Sequence, residues 1–155
     1  MRLLYGRDDD VLSFVNQMID EQFDRRDSVG TGIVDAQGRL VAGWVWHNWS
    51  PEAEIIEFSG ASTTPKWMTR AILHQLFSYP FEQLDCQMIV TRNSEFNTRL
   101  HRQLNVFGFD RFDIPRLFGR DEGGVVWTLT VEAWRASKYY KKDPCNGQKI
   151  STRAA

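Results

Sequence analysis

Glu57 is a carboxylate inside an apolar run, following Ile55 and Ile56 and preceding Phe58. Partial burial penalises the charged form of a carboxylate and raises its pKa toward neutrality, which would fit Glu57 to act as a general base. Read instead as an edge carboxylate paired with an arginine, it does no chemistry, and the sequence leaves both readings open. Glu54 is more exposed by position and the weaker candidate. Further on, Thr64-Pro65-Lys66-Trp67-Met68-Thr69-Arg70 combines capping threonines, a proline suited to a first helical position and two cations. The unpaired N–H groups of such a helix start, beside Lys66 and Arg70, suit an anion such as phosphate. The alternative is a capped helix with solvated charges. Asn97 stands where a third patterned segment turns helical, and by its residue type alone it reads as an ordinary asparagine, third in a helix capped by Ser94. His47, at a strand end beside Asn48 and Trp49, either lines a pocket or makes a surface hydrogen bond.

Other chemistries find less support. His74, His101, Cys86 and Cys145 match no metal-ligand spacing, and no metal is expected. Ser59 lacks the G-x-S-x-G elbow, so nucleophilic hydrolysis is unsupported by the sequence. Trp44, Trp46 and Trp127 lie in strand runs, where core packing is the commoner use of an indole than base stacking.

The elements that must position these residues follow from periodicity. Residues 1–5 make a short apolar run, and Asp8, Asp9 and Asp10 supply an N-cap and acidic first turn for a helix over 9–23 with Val11, Phe14, Val15, Met18 and Ile19 on its apolar face. Residues 29–34 and 40–46 form a hairpin, with Trp44 and Trp46 on one face of the second strand and Val45 and His47 on the other. A third strand covers 53–58, and Ser59-Gly60 lets it bend. A helix starts at Pro65, carries Met68, Ile72, Leu73, Leu76 and Phe77 on its buried stripe and stops at Pro80. A strand over 87–91 leads to a helix whose stripe is Phe96, Leu100, Leu104 and Phe107, with Arg99, His101 and Arg102 outside it. Strands 112–118 and 125–131 close the pattern around a charged, exposed turn at 119–124.

Size and charge set the bounds. At 155 residues with 42% apolar and 25% charged residues, the chain suits one folded domain, 1–134, followed by a basic tail over 135–155. A net charge of −1 offers no general attraction for nucleic acid, which leaves only the tail as a contact for it. Two cysteines make no disulfide framework, and no stretch of eighteen apolar residues suggests a membrane span. The expected location is the cytoplasm.

From Asn97 to Gly108-Phe109 the chain spells N-x(10)-G-F after a strand. This resembles the fourth helix of the GNAT family, the N-acetyltransferases that take an acyl group from coenzyme A, and TPKWMTR, SYPF and the short strand before the asparagine resemble its small phage- and prophage-encoded members. The resemblance spans residues 1–134. It implies an α/β, GNAT-like (acyl-CoA N-acyltransferase) fold: a mixed, mostly antiparallel sheet flanked by helices, whose parallel central strands, 53–60 and 86–92, splay to admit acetyl-CoA or another acyl-CoA. Phe58, Ser59, Gly60, Lys66, Trp67, Met68, Thr69, Arg70 and Asn97 would then bind the cofactor, and Glu57 would take the proton of an amine acceptor, small molecule or protein. Three positions depart from the family pattern. Trp67 and Thr69 fall where its phosphate loop, Q/R-x-x-G-x-G/A, has glycines, so that Trp67 can obstruct the approach of phosphate. Leu104 falls where many members carry a tyrosine that protonates the departing thiolate. The resemblance therefore implies an N-acyltransferase, with a second reading as a GNAT-fold protein that has lost catalysis and serves a structural or binding role, for example beside virion proteins in a phage particle.

Overall fold

Alternation along residues 40–50 sends successive side chains to opposite faces of one strand, and the protein is built on both sides of it. In the computed structural model, which describes residues 1–141, this strand is β3 (Leu40–Ser50). Trp44 and Trp46 turn to one face and join the larger core, while Val45 turns to the other and meets the first helix. Around β3 lie β1 (Arg2–Leu4), β2 (Val29–Val34), β4 (Ile55–Ser62), β5 (Met88–Ser94), β6 (Asp110–Gly119) and β7 (Glu122–Thr130), in the order β1-β2-β3-β4-β5-β7-β6. Every pairing is antiparallel except β4 with β5.

One face of the sheet carries α1 (Asp8–Met18), which buries Val11, Leu12 and Val15. It sits close because glycines floor its seat: a Cβ on Gly43 would lie 2.7 Å from Val15 Cγ2, and one on Gly30 2.9 Å from Val11 Cβ. The other face carries α2 (Arg70–Ser78), α3 (Thr98–Val106) and α4 (Val131–Ala136), over a core of Trp46, Phe77, Phe81, Ile89, Leu104, Trp127 and Trp134. No helix among the described residues is long and apolar enough to cross a membrane.

The elements depart from periodicity where tertiary bonds outweigh local preference. The first helix ends at Met18 rather than continuing to 23, because Asn16 bonds both backbone groups of Phe23, accepting from its N–H at 2.9 Å and donating to its carbonyl at 3.0 Å. Its cap position is Arg7; Asp8, expected as a cap, instead accepts from the Gly30 N–H and ties the helix to β2. The helix expected from Pro65 is broken into a 3₁₀ turn, Pro65–Trp67, and α2, and Pro80 does not stop it but sits in a wider π turn, Tyr79–Gln83. Phe96 is 69% exposed because it precedes the Asn97 cap, whereas His101 is buried with Nε2 3.0 Å from the Ser94 carbonyl oxygen. Of the turn expected at 119–124, only Arg120 and Asp121 lie between strands. Glu95 accepts from the Gly123 N–H, and Ser94 donates to Glu122, so that end is held down.

The boundary expected between 134 and 135 falls inside α4, whose Trp134 is 1% exposed. Beyond it, Tyr139 meets Phe107 edge-on with centroids 5.4 Å apart, and Tyr140 meets Trp134 at 4.7 Å. The Lys141 N–H donates to His74 Nδ1 at 3.0 Å. Residues 142–155, with Cys145 and most of the basic tail, lie outside the described residues.

Candidate functional site

The parallel pairing of β4 and β5 runs through Ile55–Met88, Ile56–Ile89 and Glu57–Val90, and ends there. Both strands continue, to Ser62 and Ser94, yet Phe58–Ser62 no longer faces a hydrogen-bonded partner on β5. The divergence implied by strand-helix-strand order and Ser59-Gly60 is thus present, and backbone groups along the parted edges need other partners. Because side chains alternate across the sheet, the parting opens to a different environment on each face.

On the face of α2 and α3 lies a cleft of about 240 Å³ lined by Phe58, Gly60, Trp67, Met68, Thr91 and Asn97, with Arg99, Gln103 and Leu104 across it. Gly60 keeps its floor open, since a Cβ there would come within 3.1 Å of the Gly43 carbonyl oxygen. Asn97 caps α3, its side chain accepting from the Leu100 N–H at 3.3 Å. On β5, two residues beyond Thr91, Asn93 is buried with neither polar atom of its amide bonded, and the indole N–H groups of Trp44 and Trp67 are likewise unpartnered. Each such buried group costs about 1–3 kcal/mol when unpaired. A cleft with apolar walls beside parted strand edges suits an extended ligand that carries amide groups.

The opposite face holds a polar pocket of about 420 Å³ lined by Glu21, Phe23, Asp27, His47, Glu57, Ser59, Arg92 and Phe118. Glu57 and Ser59, two apart on β4, project to this side, and His47 lies directly across from Glu57 on β3. His47 Nε2 is 3.1 Å from Ser59 Oγ, and Nδ1 is 3.9 Å from Glu57 Oε2. The same Glu57 oxygen is 3.6 Å from Arg92 Nε. Phe23, brought over by the early end of α1, covers the imidazole with ring centroids 4.8 Å apart. Burial pushes the His47 pKa below its usual range, against the pull of the Glu57 carboxylate, which keeps the ring neutral and able to accept a proton. Leu104, 1% exposed, has no proton to give.

The expected residues therefore divide. Phe58, Gly60, Trp67, Met68 and Asn97 share the cleft, whereas Glu57 and Ser59 belong to the pocket beyond the parting. The side chain of Ser59, a residue expected to bind the cofactor, lines the pocket, and its backbone lies in the parted stretch of β4. Lys66, Thr69 and Arg70 are exposed beside Met68 in the chain. Thr69, not Pro65, opens the true helix there, accepting from the Ile72 N–H at 3.3 Å. Only the N–H groups of Arg70 and Ala71 in its first turn have no partner within the helix. The indole of Trp67 does not obstruct that start, since it is buried edge-on against Trp44 at 5.8 Å. Thr91 and Arg92 belong to the strand expected beside the cofactor, whereas Gln103 and Phe23 carried no signal as site residues. Among the described residues no cluster of three His, Cys, Asp or Glu is placed to hold a metal.

No family model matches the chain, and no curated protein matches it by sequence. Solved structures do match by shape. A mutant form of the spermidine/spermine N-acetyltransferase SpeG from Vibrio cholerae superposes with a TM-score of 0.73 at 13% identity, covering 88% of this chain and 99% of that one. A chimera of the V. cholerae spermidine N-acetyltransferase SpeG and hSSAT gives 0.72 at 13% identity, over 86% and 99%. A protein described as a probable acetyltransferase gives 0.59 at 17% identity over 70% of this chain, which spans 64% of that protein's length. At these identities the likeness establishes the fold, that of the GNAT acyl-CoA N-acyltransferases.

Proposed function

We propose that this protein is an acyl-CoA-dependent N-acyltransferase, of GNAT type, that transfers an acetyl group from acetyl-CoA to an amine. The observation that carries the reading is the end of β4–β5 pairing at Glu57 and Val90, which parts the two strands between a largely apolar cleft on one face and a polar pocket on the other. When bound, acetyl-CoA would supply an acyl thioester at that junction. Phe58, Gly60, Trp67, Met68, Thr91 and Asn97 would hold its arm, and Lys66 with Arg70 and the open N–H groups of the α2 start would meet its pyrophosphate. Glu57 is the carboxylate that takes up the acceptor's proton, directly or through a neighbour. Glu21, Asp27 and Glu57 outnumber Arg92 around the pocket, a balance that attracts a cationic amine. The spermidine acceptor of the V. cholerae neighbour supports a small-molecule amine here too. A cytoplasmic enzyme follows from this reading, since acyl-CoA must be within reach.

Titration calorimetry with acetyl-CoA tests the proposal. Binding is expected, and replacing both Lys66 and Arg70 by Ala should weaken it by about 1.5–3 kcal/mol per lost charge-assisted hydrogen bond without unfolding the domain. Absence of binding at millimolar acetyl-CoA would refute it.

A further inference from the structure

The polar pocket holds an arrangement that amine deprotonation alone does not require. Ser59 Oγ occupies His47 Nε2 at 3.1 Å, while the far nitrogen of the ring faces Glu57 at 3.9 Å, with Arg92 3.6 Å from the same carboxylate oxygen. This is the order of a nucleophile, its base and the group that orients the base, assembled from two antiparallel strands. An acceptor amine seeking Nε2 would first have to displace the serine; with the ring proton on Nδ1, on the side of Glu57, Nε2 is free to take the proton of Ser59. The serine lies two residues past the last β4–β5 pair, in the stretch of β4 that has parted from β5.

We propose that Ser59 is an acyl-accepting nucleophile, so that the protein passes the acyl group through a covalent serine ester and can cleave activated acyl compounds, thioesters foremost. The inference rests on the acyltransferase reading for its natural acyl donor, but not for the nucleophile itself. In the first half, a bond forms between Ser59 Oγ and the acyl carbon as the carbon–sulfur bond breaks. The hydroxyl proton goes to His47 Nε2 and from there to the departing thiolate. That return of the proton supplies the acid that Leu104 cannot. In the second half the amine nitrogen, or water, attacks the ester carbonyl, and its proton passes through His47 to Oγ as the serine leaves. Glu57 faces the imidazolium that forms in each half, and Arg92 holds that carboxylate in place. The depressed basicity of His47 suits this role, because the ring must be free to accept at neutral pH.

A fluorophosphonate probe reads the nucleophile without any need for coenzyme A. The wild-type protein is expected to gain one phosphonyl group, mapped by peptide mass spectrometry to Ser59. Ser59→Ala should not be labelled, and His47→Asn should be labelled about a hundredfold or more slowly. Should His47→Asn lose its fold by circular dichroism, His47→Gln takes its place. In parallel, protein quenched after mixing with acetyl-CoA should carry one acetyl group on Ser59. No label on wild type, label on another residue, or undiminished labelling of the His47 variant overturns the proposal. If the probe labels Ser59 but calorimetry shows no acetyl-CoA binding, the acyltransferase reading falls and the nucleophile stands. If acetyl-CoA binds while both reagents leave Ser59 unmodified, the reverse holds.

Discussion

Asn97 has two tasks in this account, and two substitutions separate them. Its side chain caps α3 by accepting from the Leu100 N–H, and it lines the cleft assigned to the acyl-CoA arm. Asn97→Ala removes the cap, at a cost of about 1 kcal/mol, and in a chain of this size that lowers the melting temperature by about 2–4 °C. The first turn of α3 contains no acidic residue and does contain Arg99, so Asn97→Asp keeps the cap and adds a charge that the helix N-terminus favours by about 0.3–1 kcal/mol. Its melting temperature should equal or slightly exceed that of the wild type. Binding should not follow the same order. Both variants lose the amide donor, worth about 0.5–1.5 kcal/mol, which corresponds to a loss in acetyl-CoA affinity of roughly 2- to 12-fold. Differential scanning fluorimetry and calorimetry on the three proteins give the two orders. Affinity that tracks melting temperature, with Asn97→Asp binding as tightly as wild type, would show that Asn97 is a cap and nothing more.

Two further outcomes follow from the packing. Replacing Tyr139 and Tyr140 together by Ala removes edge-on contacts with Phe107 and Trp134, each worth about 0.5–1.5 kcal/mol beyond burial; thermal unfolding should show a fall of several degrees, and an unchanged transition would mean these residues are held without contributing. His47 has a folded pKa below its ordinary 6.5, so the unfolded chain binds more protons between those two values. Stability should therefore rise with pH across that window and fall on acidification through it. Urea midpoints measured from about pH 5 to 7 should show this slope in wild type and a shallower one in His47→Asn.

The one-dimensional pattern already contained the outline of this protein. Alternation along 40–47 placed Trp44 and Trp46 opposite Val45 and His47, because a pleated strand has no other way to arrange them. Strand-helix-strand order put a parallel contact between the strands around residues 55 and 89, whereas the cap of α3, read at Ser94, is Asn97. What the chain could not show by itself were the relations between strands and the effects of long-range bonds. Helix propensity runs past Met18, yet Asn16 bonds Phe23 and pulls the chain across His47. Proline at 65 reads as a helix start, but burial of Trp67 against Trp44 turns the backbone there, and the helix begins again at Thr69. Nothing in the spacing of His47, Glu57 and Ser59, twelve residues from first to last, announces a serine–imidazole contact. Antiparallel register sets His47 opposite Glu57 and within reach of Ser59, and register is decided by which faces of β3 and β4 the helices cover.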